Sequence, residues 1–298
     1  MRLYRFVGNS AFWALTTAAL LSPGCGGGGA IHVSGTTPPA AAHVVVVMEE
    51  NHSYSQVIGN SSMPYLNGLA SQYGLGTQYY GDVHPSIGNY LMLTTGQVET
   101  IDDSFTGTIS DDNVVRELVK ANKSWRSYAE SLPSVGYVGG DVYPYLRHHN
   151  PFTYLTDVNG TSQASNLVPF TQFAADVSSG NLPDYSFVVP NALDDAHDGT
   201  LAQADAWLQA NIDPLIKSST FQTSGVLLIV FDESVMTDVS HGGGHVAMVI
   251  VGPTAKKGFQ STTTYQHQST LRLVLSTLGV NSFPGAAAAA PDMGEFFR

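Results

Sequence analysis

Four consecutive valines, Val44 to Val47, run through Met48 straight into Glu49, Glu50, Asn51 and His52. A β-branched run of this kind reads as a strand covered on both faces, as in a parallel sheet. Its end is the puzzle, because charged side chains seldom enter an interior unpaired. Either the strand surfaces there or a cation meets it. Two other apolar runs end in the same way. Residues 185–190 (YSFVVP) lead to Asn191, Asp194, Asp195, His197 and Asp198. Residues 225–231 (GVLLIVF) lead to Asp232 and Glu233, with His241 and His245 shortly after.

Strands are expected over 43–48, 76–81, 134–138, 185–190, 225–231 and 246–251. Helices are expected over 63–73, 87–95, 112–121, 125–131, 167–178, 199–216 and 267–277. This alternation predicts an α/β fold: a mostly parallel central sheet with helices on both faces. Open sheets of this class place ligands at the C-terminal ends of their strands. A fourth segment, Asp82, His84 and Ser86 after 76–81, reaches that edge too. One such cluster is ordinary surface, whereas four on one edge point to a bound metal. The donors are oxygens and imidazoles, which implies a hard or borderline divalent cation: Ca, Mg, Mn or Zn.

The 298 residues suit one large domain with a generous core. Twelve Lys plus Arg stand against 24 Asp plus Glu, so the chain has no electrostatic footprint for nucleic acid. Arg2 and Arg5 precede an apolar run, Ala11 to Leu21, then Ser-Pro-Gly-Cys and Gly26 to Gly29. That reads as a secretory leader over 1–25, a flexible linker over 26–41 and a single domain over 42–298. The apolar run is shorter than the ~20 residues of a bilayer span. Cys25, the only cysteine, lies where a bacterial lipoprotein is cut and acylated, although Ser22 stands where leucine is usual. The expectation is a secreted, periplasmic or outer-surface protein, lipid-anchored through Cys25, with simple cleavage as the alternative.

In "HPSIGNYLMLTTG", residues 84–96, Pro85 forces a turn and Ser86 falls at the expected N-cap of a helix. Unpaired amides and the positive end of the helix dipole there favour phosphate. Asn89 is placed to aim an amide at a phosphoryl oxygen, although either residue alone is an ordinary helix residue.

Together these segments resemble the phosphoesterase family that groups bacterial acid phosphatases with phosphatidylcholine-type phospholipases C, within the alkaline phosphatase superfamily. The resemblance rests on "MEENHSYSQVIG" (48–59), "HPSIGNYLMLTTG" (84–96), "YLRHHNPF" (145–152) and "VVPNALDDAHDGT" (188–200). It continues through "DAWL" (205–208), "VFDES" (230–234), "GGGHVAMVIVGP" (242–253) and "YQHQSTLRLVLSTLG" (265–279), covering nearly all of 43–298.

The resemblance implies one metal held by Glu50, Asn51, Asp232 and Glu233 and touched by the nucleophile, which Ser86 matches. It places His149, His197 and His245 around the phosphate or at the leaving group. His197 and His245 are then the expected catalytic acids, with Asn89, His149 and Asp198 on the substrate. A second metal would draw on Asp194 or Asp195 with His197 and His245. Two departures stand out: Gly88 occupies a place where proline is commoner, and His148 replaces a basic residue, with Arg147 one place earlier. His84, His52 and His267 read more simply as a turn bond, a helix cap and a helix position near the surface.

The implied activity is hydrolysis of phosphate monoesters through a phosphoserine, on a phosphorylated small molecule. The alternative within the family is a phospholipase C or other phosphodiesterase acting on a phospholipid headgroup. A non-catalytic metal- or phosphate-binding lipoprotein is the alternative of another class, and the presence of Ser86 speaks against it. Ser86 lacks the Ser-x-Pro-x-Arg context of a sulfatase.

Overall fold

The computed structural model describes residues 37–298. The leader, Cys25 and most of the linker lie outside the described residues. Nine strands form one sheet: β1 (His43–Glu49), β2 (Gly74–Tyr80), β3 (Trp125–Ala129), β4 (Leu167–Pro169), β5 (Tyr185–Val189), β6 (Gly225–Phe231), β7 (His245–Val251), β8 (Phe259–Ser261) and β9 (Tyr265–Gln266). Their order is β4-β3-β5-β1-β6-β7-β2-β8, with β9 also on β2. Every pairing is parallel except those of β7, which runs against both β6 and β2. The start of β7 therefore shares an edge with the ends of β1, β5 and β6.

Helices α1 (Tyr54–Val57), α2 (Pro64–Gln72), α3 (Ser86–Thr95), α4 (Val114–Lys120), α5 (Thr171–Ser179), α6 (Leu201–Lys217), α7 (Ser219–Ser224) and α8 (His267–Thr277) cover the sheet. They pack as two groups, α3 with α4 and α8, and α6 with α2, α5 and α7. The valines of β1 and all seven residues of β6 are buried, as covering on both faces requires.

Three expectations need correction. Residues 125–131 begin as strand β3, not a helix. Trp125, Tyr128 and Ala129 have helical spacing, but β5 and β4 pair with the segment on either side, and sheet pairing overrides the local pattern. Residues 134–138 form no strand. Gly136 has φ 76° and Pro133 precedes it, so the segment turns instead of pairing. Residues 167–178 open with the three residues of β4 before α5 starts.

Candidate active site

The end of β1 splits its two glutamates. Glu49 remains in the strand, wholly buried, and neither of its oxygens has a partner. Burial, reinforced by Asp195, raises its pKa well above the usual carboxylate range. Glu50 leaves the strand, and Asn51 follows with φ 52°, a left-handed conformation that asparagine tolerates better than most residues. That bend turns the Asn51 N–H to Asp232 Oδ1, 3.2 Å away.

Around Ser86 the segments converge. Its Oγ lies 3.2 Å from Glu50 Oε2, 3.4 Å from Glu233 Oε1 and 3.5 Å from Asn51 Oδ1. One hydroxyl has one proton, so at most one of these acceptors is satisfied by it. Asp232 Oδ2, also buried, has no partner at all. Burial pushes Asp232 up to about 6 and Glu233 up to about 9, Glu233 further raised by Asp232. Acceptors gathered with too few protons are an arrangement that a cation would satisfy, and here Glu50, Asn51, Asp232 and Glu233 gather around the Ser86 hydroxyl.

Ser86 is the first residue of α3, with Pro85 in the cap position, so its side chain faces this ring and not the helix's own amides. The Ile87 amide is instead capped by Asp103 Oδ1 at 3.1 Å. All of α3 is buried. Gly88 permits this, since a Cβ there would stand 2.5 Å from Val83 Cγ1. Above Ser86 opens a cleft of about 390 Å³, lined among others by Asn51, Ser86, Asp103, His197, Glu233 and Met236.

Two residues expected on the substrate lie away from the cleft lining. Asn89 faces the turn and not the cleft: Oδ1 accepts from the Asp82 and Val83 amides, and Nδ2 donates to the Val83 carbonyl. Its role is to hold the turn that presents Ser86. His149 is 1% exposed and lies beneath the site, Nε2 3.5 Å from Glu50 Oε1 and Nδ1 3.4 Å from Asp195 Oδ2. Burial pushes it down to about 3, so it is neutral, and it stacks on Tyr90. Among the described residues, the three carboxylate and imidazole side chains that offer ligand atoms within 4.8 Å of one another are Glu50, His149 and Asp195, a candidate metal group that shares Glu50 with the ring around Ser86.

Of the two histidines expected to protonate the leaving group, His197 lines the cleft. Its Nδ1 is 2.9 Å from Asp198 Oδ1, which orients the ring. His245 does not line it. Tyr54 and Tyr80 hold the ring of His245 face to face, and its Nε2 is 3.0 Å from the Thr77 carbonyl oxygen. His267 is fully buried, not near the surface. Its Nε2 donates to the Asp232 carbonyl at 2.6 Å, and burial pushes it down to about 4.

Behind the ring lie two partners, of which the sequence reading took His84 for a turn bond and did not single out Tyr90. His84 Nδ1 lies 2.8 Å from Glu233 Oε2, and the Tyr90 hydroxyl donates to Glu50 Oε1. The signal for His84 was its place two residues before Ser86. For Tyr90 it was the single turn of helix that separates it from Ser86.

Among solved structures, the fold matches a protein of the alkaline phosphatase superfamily from Vibrio parahaemolyticus, with a TM-score of 0.61 and 15% identity over 86% of this chain and 72% of that one. It also matches the lipoteichoic acid synthase LtaP from Listeria monocytogenes, with a TM-score of 0.56 and 13% identity over 82% of this chain and 74% of that one. The class is thus an α/β protein with the alkaline phosphatase superfamily's architecture. Residues 60–281 match the Phosphoesterase family. The chain is 32% identical over 255 residues to the phosphatidylinositol-3-phosphatase of Mycobacterium tuberculosis, covering 84% of this chain and 80% of that protein. It is 31% identical over 237 residues to a probable acid phosphatase of Kluyveromyces lactis, covering 76% of this chain but only 55% of the relative. The chain belongs to the Phosphoesterase family and is a phosphoric ester hydrolase.

Proposed function

We propose that the protein is a metal-dependent phosphomonoesterase with Ser86 as nucleophile. The observation that carries this reading is one buried hydroxyl facing three acceptor oxygens at the floor of an open cleft. A divalent cation on Glu50, Asn51, Ser86, Asp232 and Glu233 would supply charge neutralisation for the nucleophile and the phosphoryl oxygens.

Ser86 Oγ forms a bond to phosphorus as the bond to the leaving oxygen breaks, giving a phosphoserine. The serine proton passes to the surrounding carboxylates, of which Glu50 Oε2 is nearest at 3.2 Å. His197, oriented by Asp198, gives its proton to the leaving alcohol and takes one from the water that then releases phosphate. The Glu50, His149 and Asp195 group is where a second cation would be held. Among the described residues no helix is long and apolar enough to cross a membrane. Export, with or without acylation of Cys25, remains the proposed destination.

A second reading, an amphiphilic phosphate ester as substrate, is favoured by apolar side chains at the cleft mouth. Met236 lines it at 65% exposure, and Val239 on the same loop is 66% exposed. The Mycobacterium tuberculosis relative, a phosphatidylinositol-3-phosphatase, fits that reading.

The test strips the protein with chelator and assays p-nitrophenyl phosphate, p-nitrophenylphosphorylcholine and a short-chain phosphatidylinositol 3-phosphate with each divalent metal. Metal-restored release from a monoester is expected. Preference for the choline diester would transfer the reading to a phosphodiesterase. No turnover of any of the three with any metal would refute it.

A further inference from the structure

The turn that delivers His197 closes on itself. After β5, the Asp194 and Asp195 amides donate to the Asn191 carbonyl, and the Asp198 amide donates to that of Ala192 at 2.7 Å. Gly199 passes so close that a Cβ there would stand 1.8 Å from the Leu193 carbonyl oxygen. Inside this turn Ala196, 1% exposed, has φ 75°, a left-handed conformation unfavourable for alanine. Strain of this kind persists only where the surroundings impose it.

Asp195 imposes it. Wholly buried, it accepts the His197 amide on Oδ1 at 2.8 Å, across the Ala196 bend. Its carbonyl accepts the Glu50 amide, also at 2.8 Å. One residue thus ties the backbone that carries His197 to the backbone that carries a carboxylate facing Ser86. Asp198 holds the imidazole separately, its Oδ1 2.9 Å from Nδ1. The Oδ2 of Asp195, 3.4 Å from His149 Nδ1, belongs to the group beneath the site.

We infer, resting on the reading of His197 as the leaving-group acid, that Asp195 is the positioning residue for that acid. Its Oδ1 fixes where the imidazole starts and Asp198 fixes which way it turns, leaving Nε2 to meet the leaving oxygen. A shift of about 1 Å in such a group costs on the order of 100-fold in rate. The side chain of Asp195 acts through His197 alone, and not on Ser86 or phosphorus. A role through His149 and Glu50 would instead slow every substrate alike.

The test compares kcat/KM for an alkyl phosphate and for p-nitrophenyl phosphate, since an alkoxide needs a proton on leaving and nitrophenolate does not. The variants are Asp195→Ala, Asp195→Asn, His197→Asn and the double variant of Asp195→Ala with His197→Asn, with circular dichroism to establish folding. Asp195→Ala should lose about 10- to 100-fold on the alkyl phosphate and less than about threefold on the nitrophenyl ester. Asp195→Asn keeps an oxygen for the His197 amide and should retain most of the alkyl rate. In the His197→Asn background, Asp195→Ala should cost nothing further. If Asp195→Ala does not fold, Ala196→Gly decides the matter. Glycine takes φ 75° freely but lets the turn sample other shapes, so Tm should hold while the alkyl rate alone falls by about tenfold. No loss on the alkyl phosphate, equal losses on both substrates, or additive losses in the double variant would overturn the inference and leave the Ser86 chemistry in place. Equal losses on both substrates in His197→Asn would remove the acid assignment beneath it, and no turnover by the native chain would remove the phosphatase reading itself.

Discussion

Stripped of divalent cations, the protein should lose stability as the pH rises. Burial pushes Asp232 up to about 6 and Asp195 up to about 8, so the folded site prefers both as neutral acids. The unfolded chain ionises them near the ordinary carboxylate range. Between that range and the raised values the folded state therefore binds more protons, and stability falls with pH. Between about pH 5 and about pH 8 the loss integrates to about 1 kcal/mol for Asp232 and about 4 kcal/mol for Asp195. For a chain of this size even the smaller figure is a few degrees of Tm. Divalent cations bind the ionised carboxylates, so saturating Mn²⁺ should stabilise most at the alkaline end and flatten or reverse the slope. The assay is calorimetric Tm against pH, with chelator and with Mn²⁺, and Asp195→Asn should reduce the chelated slope. A chelated Tm that is flat or rises across this window would refute the electrostatic reading of the site.

Two further outcomes follow from the geometry. His197→Asn should slow hydrolysis of alkyl phosphates by about 100-fold and of p-nitrophenyl phosphate much less, because nitrophenolate leaves without a proton; equal losses on both would remove His197 as the acid. Gly81→Ala should destabilise by about 1–3 kcal/mol in thermal melts and weaken metal binding. Its Cβ would stand 2.8 Å from the Asp232 carbonyl oxygen and 2.9 Å from that of Gly243, both backbone atoms with nowhere to go.

The sheet was legible where the chain is most apolar. The runs at 44–47 and 225–231 are long, β-branched and bounded by polar clusters, and both are central strands. Trp125–Ala129 was not legible, since five residues with helical spacing become a strand only through the neighbours β4 and β5. The site divides along the same line. Residues at strand ends, Glu50, Asn51, Asp232 and Glu233, meet because sheet geometry alone brings them there. Side chains whose direction depends on packing did not follow from sequence. Asn89 turns inward to hold its own turn, His149 sinks beneath Glu50, and tyrosines clamp His245. The partners behind the ring, His84 and Tyr90, are visible only once three dimensions show which carboxylate oxygen each faces.

The central claim is the phosphoserine, and its most direct measurement is an acid quench. Mn²⁺-loaded protein is mixed with p-nitrophenyl phosphate, stopped in acid within a turnover and digested for mass spectrometry. A phosphate ester on Ser86 is expected, absent from Ser86→Ala, together with a loss of turnover of about 1,000-fold or more in that variant. Phosphate found on another side chain, or native turnover in Ser86→Ala, would contradict it.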